Sequence, residues 1–154
     1  SGLIFSIGGH AQHDWQQHVS YQMELDFDVK THRFSGSQLL VYLNNSPDTI
    51  TRAYYHLYFN AFQKGSAMDI RNRNIADPDR RISQIQSLQP GEEGFLHVLG
   101  LTQDETQVSY FENETILMVD LAKPLRPGAS TRLKMAFSAT GLLFFTSIFL
   151  IFNP

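Results

Sequence analysis

Chemistry in this chain would have to come from histidines, carboxylates and hydroxyls, because it contains six histidines, 15 Asp and Glu, and no cysteine. Thiolate zinc sites, cysteine nucleophiles and disulfides are therefore excluded. The histidine with the most suggestive surroundings is His56, inside the aromatic run "YYHLYFNAFQKGSAM" from Tyr54 to Met68. A zinc site needs three or four converging ligands, commonly including a short-spaced pair. On a strand, the same-face neighbours of His56 are Tyr54 and Tyr58, and neither completes such a pair. His10, His13, His18, His32 and His97 fall at a leader, a strand start, a turn and a distant strand. Nothing matches His-Glu-x-x-His, the helical pair of zinc peptidases. The expectation for His56 is a structural role, with ligand or general base as the alternative.

Other constellations point the same way. Asp26 and Asp28 share a strand face and could bind calcium, but a solvated strand face is the better reading. There is no Gly-x-Ser-x-Gly turn and no glycine-rich phosphate loop. Glu92-Glu93, after Pro90-Gly91, reads as an exposed turn. Asn44-Asn45-Ser46 and Asn113-Glu114-Thr115 match glycosylation sequons, which matter only in a eukaryotic secretory pathway. The expectation is no catalytic, no cofactor-binding and no metal residue in this chain, and no activity from it alone.

The elements that hold these residues have a period of two. "VSYQMELDFDVK" places Val19, Tyr21, Met23, Leu25, Phe27 and Val29 on one face. Ser20, Gln22, Glu24, Asp26, Asp28 and Lys30 take the other, the pattern of a half-buried strand. Thr31 to Arg33 turns the chain and "FSGSQLLVYL" returns. In "NNSPDT", Pro47 presets φ, and Asn45 and Asp48 are expected to bond local backbone. A third strand starts near Ile50 and carries the aromatic run, with Ala53, Tyr55, Leu57 and Phe59 on its more apolar face. His56 shares the other face with Tyr54, Tyr58 and Asn60. "GFLHVLGLT", "TQVSYFE", "TILMVDLA" and "STRLKMAFS" follow, with turns at Asn113-Glu114 and Arg126-Pro127-Gly128. About seven strands with frequent turns indicate an all-β fold, an antiparallel β-sandwich or open barrel. Tyr21, Met23, Leu25, Phe27, Leu133, Met135 and Phe137 are the expected core. The one long break, Ala61 to Gly94, has room for a short helix entered at Asp77-Pro78.

At 154 residues the chain is one domain by length. A net charge of −3 without a basic cluster excludes an electrostatic nucleic-acid footprint. Residues 1–11 read as the remnant of a secretory signal. Leu3 to Ile7 is mostly apolar, and Gly9 and Ala11 are spaced as small residues are at a signal-peptidase site. That implies an exported protein, periplasmic or secreted. Residues 15–139 form the sandwich, and 140–154 an atypical apolar tail, "TGLLFFTSIFLIFNP". As a helix, Gly141 to Phe152 would reach about 18 Å against the ~30 Å of a bilayer core, so a membrane span is disfavoured.

The run from Val19 to Arg81, with "DVKTHRFSG" at the hairpin, "NNSPDT" at the next turn and "YYHLYFNAF" entering the long loop, resembles the N-terminal lobe of zinc aminopeptidases of the aminopeptidase N type, closest to exported bacterial members. "LAKPLRPGASTRLKMAF" is similar to that family's late strand-turn-strand. The resemblance covers Trp15 to Phe137. It implies a saddle-like β-sandwich packed on a separate thermolysin-like catalytic domain, which holds the zinc and handles the peptides. The family's zinc motif, its Gly-x-Met-Glu-Asn loop and its catalytic tyrosine match no position here, and the switch to the apolar tail suggests a truncated or frame-altered product. Two functions follow: a non-catalytic lobe whose partner is that catalytic domain, or a free-standing binding or adaptor module. A complete small hydrolase is a third reading, which the lack of a convergent polar cluster disfavours.

Overall fold

The computed structural model describes residues 15–31, 33–75, 85–89, 92–140 and the backbone of 149–151. The leader, His10, His13, His32 and the Asp77-Pro78 position lie outside the described residues. Two antiparallel strands, β1 (His18–Asp28) and β2 (Arg33–Leu43), form a hairpin whose register runs from His18↔Leu43 to Asp28↔Arg33 without a shift. Asp28 closes it. Its Oδ1 accepts from the Lys30 amide at 2.9 Å and its Oδ2 from Thr31 Oγ1 at 2.7 Å. That use of its carboxylate is a turn function, the bland alternative to calcium binding.

The chain continues through β3 (Ile50–His56), a 3₁₀ turn at Tyr58–Phe62, α1 (Ala67–Asn74), β4 (Phe95–Gln103), β5 (Thr106–Gln107), β6 (Ser109–Asn113), β7 (Ile116–Leu125), β8 (Ser130–Thr140) and β9 (Phe149–Ile151). These strands make two sheets, β1-β2-β8-β4-β5 and β6-β7-β3-β9. Every pairing is antiparallel. The fold is an all-β sandwich. Its core lies between the sheets, where β2 contributes Leu40 and Tyr42, β3 Ala53 and Tyr55, β7 Leu117 and Val119, and β8 Leu133, Met135 and Phe137.

Four of the seven expected core residues are not buried. Leu133, Met135 and Phe137 are at most 1% exposed, but Tyr21, Met23, Leu25 and Phe27 are 40–48% exposed. The alternation assigned their face correctly, since Tyr21 lies close enough to Tyr55 of β3 to perturb it. Strand order is what a period-two pattern cannot show. β1 is the outer strand of the larger sheet, and its inward side chains stay part-exposed there. Gly36 on β2 lets β1 sit close: a Cβ there would fall 2.4 Å from the Glu24 carbonyl oxygen and 2.7 Å from Leu25 Cδ2.

Two other expectations are corrected. "TQVSYFE" is two strands in different sheets, because the chain turns a corner at buried Val108, whose amide bonds the Leu101 carbonyl. The third strand stops at His56 instead of continuing through Tyr58 and Asn60. The helix of the long connection begins after Ser66, whose hydroxyl accepts from the Asp69 amide as an N-cap. Ser66-x-x-Asp69 was the local signal for it. The turns at Glu114 (φ 51°) and Gly128 (φ 72°) fall where expected.

Candidate functional site

His56 ends β3 half-buried, with its ring stacked on Tyr58 at a 3.9 Å centroid distance and a 21° interplanar angle. Its Nδ1 is buried and has no hydrogen-bond partner among the described residues. Burial holds its pKa below the ordinary 6.5, which favours the neutral ring. A general base or metal-bound imidazole is oriented by a hydrogen bond from its second nitrogen. A ring packed against tyrosine with Nδ1 unpaired lacks that orientation.

Below the histidine, the 3₁₀ turn brings Asn60 into the interior. Its Oδ1 accepts from the Leu96 amide at 2.7 Å and its Nδ2 donates to the Glu114 carbonyl at 3.0 Å, tying β4 to the β6–β7 turn. Beside it, an open groove of about 560 Å³ is lined by Gln63, Glu93, His97, Glu112 and Glu114 among others. Two of its carboxylates are occupied. Glu112 accepts from the Val98 amide at 3.1 Å and lies 3.5 Å from His97 Nδ1, while Glu93 accepts from the Lys64 amide at 3.3 Å. Among the described residues no three His, Cys, Asp or Glu side chains gather closely enough to hold a metal ion.

The long connection is anchored by Asp69. Nearly buried, it ion-pairs with Arg73 and accepts from the Gly65 amide at 2.8 Å. The Arg73 guanidinium, and then the Gly65 amide, hold its pKa below the ordinary carboxyl value. This fixes the start of α1 against the 3₁₀ turn, where Ser66 Oγ donates to the Ala61 carbonyl at 2.6 Å. At the other end of the sandwich, fully buried Asn44 donates from Nδ2 to the Asp48 and Leu125 carbonyls and accepts at Oδ1 from Ser46 Oγ at 2.6 Å. Asn44, not Asn45, is thus the turn-building residue, and in the folded chain its amide is inaccessible to glycosylation. Asn45 instead holds Gln16 and Gln17.

One polar side chain escaped sequence reasoning. Gln38 is 0% exposed and neither its Oε1 nor its Nε2 has a hydrogen-bond partner among the described residues. It stands at an inward position of β2 between Met23 of β1 and Met135 of β8. A glutamine in phase with Leu40 and Tyr42 was the signal. Tyr55, 1% exposed, is likewise without a hydroxyl partner, and burial followed by the nearby Tyr21 raises its pKa.

No family model and no curated protein matches the chain. Among solved structures, the M1 zinc metallopeptidase of Deinococcus radiodurans superposes with a TM-score of 0.50 and 17% identity over 80% of this chain and 20% of its own. A two-domain M1 zinc metallopeptidase variant bound to L-arginine gives 0.51 and 17% over 84% of this chain and 22% of its own. The fold is one that M1 zinc metallopeptidases contain. At 17% identity the likeness is one of fold. The chain spans about one fifth of the M1 structures it matches.

Proposed function

We propose that this chain is the non-catalytic N-terminal β-sandwich lobe of an M1-type zinc aminopeptidase, which supports and caps a catalytic domain carried elsewhere. The observation that carries this reading is the fold likeness that takes in most of this chain and only a fifth of an M1 metallopeptidase. The environments of the polar residues support it. Asn44, Asn60, Asp69, Glu93 and Glu112 each satisfy backbone groups and so build the scaffold. The surface offered to the catalytic domain is the His56–Tyr58 stack with the long connection and α1 beside it. The apolar Leu3 to Ile7 and the small residues Gly9 and Ala11 are in keeping with an exported, periplasmic or secreted setting. Among the described residues no helix is long and apolar enough to cross a membrane.

Two measurements test the reading. Purified chain is expected to hydrolyse no aminoacyl-anilide substrate, with or without added zinc, and turnover that a chelator abolishes would contradict it. Reading the coding DNA beyond the Phe137 codon in all frames is expected to find a His-Glu-x-x-His segment. Its absence from every frame favours the free-standing module instead.

A further inference from the structure

Apart from its three carboxylates, strand β1 lacks the devices that keep sheet edges from meeting. Across His18–Asp28 there is no proline, no lysine and no arginine, and the ladder to β2 runs through all 11 residues without a bulge. No other described strand lies on its far side. Such an edge offers its backbone N–H and C=O groups to any strand of fitting sequence. Tyr21, Met23, Leu25 and Phe27, 40–48% exposed, add an apolar stripe along it.

We propose that β1 pairs antiparallel with β1 of a second copy about a two-fold axis at Met23, fusing the two larger sheets into one. This inference is independent of the lobe reading. Opposed residues of an antiparallel pair share a face, so a pair symmetric about an axis normal to the sheet must be centred on a residue. Centring on Met23 uses the whole strand. On the polar face His18 meets Asp28 of the second copy, Ser20 meets Asp26, and Gln22 meets Glu24. On the apolar face Val19 meets Phe27, Tyr21 meets Leu25, and Met23 meets itself.

Charge selects this register. Every carboxylate faces a side chain with a hydrogen to donate. Centring on Glu24 or Asp26 places a carboxylate opposite itself, and centring on Leu25 opposes Glu24 to Asp26. Like charges directly opposed destabilise a strand pair. Centres on the N-terminal side of Met23 avoid that clash but shorten the ladder. The acidic face therefore deters other alignments while it fits this one, and the interface is isologous, the form that closes at two subunits.

The absence of native cysteine makes the register directly readable. In the full chain, Met23→Cys places two sulfurs at the axis, where opposed Cα atoms are roughly 4.5–5.5 Å apart, within disulfide reach. Leu25→Cys lies four residues from its own copy, about 13 Å away. Mild oxidation is expected to cross-link the first variant and not the second, both with the circular-dichroism spectrum of the unmodified chain. Sedimentation of the unmodified chain should show a concentration-dependent dimer. Ser20→Lys, facing Asp26, should tighten it several-fold and Ser20→Glu should weaken it several-fold. A chain that stays monomeric with neither cysteine cross-linking overturns the proposal. So do equal cross-linking by both cysteines and a shift of the same sign for both Ser20 variants.

Discussion

At the scale of single residues, His56 is a ring kept neutral by what surrounds it. The unfolded chain takes up a proton near pH 6.5 that the folded chain resists, since burial depresses the folded pKa. The linkage sign is that of a depressed group: its stability is complete above the unfolded pKa and is lost as pH falls through the folded one. Replacing His56 by Phe keeps the stack on Tyr58 and should flatten the fall in stability as pH drops below the ordinary 6.5, read from urea melts. An unchanged slope would refute the burial argument. Asn44 makes a different case. Asn44→Ala removes the side-chain bonds to the buried Leu125 carbonyl and from the Ser46 hydroxyl, and should cost about 1–3 kcal/mol with an unchanged m-value. Asn45→Ala, at an exposed position, should cost clearly less. The stacking partner of His56 could be read from its neighbours, because Tyr58 is two residues away. The burial of Asn44 could not, because its acceptor Leu125 is 81 residues away.

At the scale of elements, the strands were readable because alternation is a property of about ten consecutive residues. What each strand lies against is not. β1 and β8 alternate equally well, yet β8 is central in its sheet and β1 is outermost. Leu133→Ala should therefore cost roughly 2–5 kcal/mol. Leu25→Ala, at a side chain 48% exposed, should cost less than half as much. Equal losses in denaturant melts would mean that β1 is covered in solution to the extent that β8 is. Where one run changes sheets, as at Val108, the pattern stays in phase through the corner and gives no sign of it. α1 has a local signal of its own, the cap by which Ser66 Oγ accepts from the Asp69 amide.

For the molecule as a whole, every member of the described core precedes Thr140, and Phe149–Ile151 adds only three pairs to the edge of β3. A chain ending at Thr140 is thus expected to keep its β spectrum and a cooperative thermal melt, and loss of cooperativity would show that the tail is a required strand. The charge-free tail is also of the composition that aggregates, so the shorter chain should be the more soluble. The same strand order governs how the protein is made. β8 sits between β2 and β4, pairing Leu39 with Lys134 and Leu101 with Met135. A ribosome adding about 5–20 residues per second releases β2 some ~5–20 s before the strand it must join. Through that interval the β1–β2 hairpin exists with its inward face wet and its inner edge unmated. The nascent chain therefore presents to the cell, for seconds, the surface that chaperones bind.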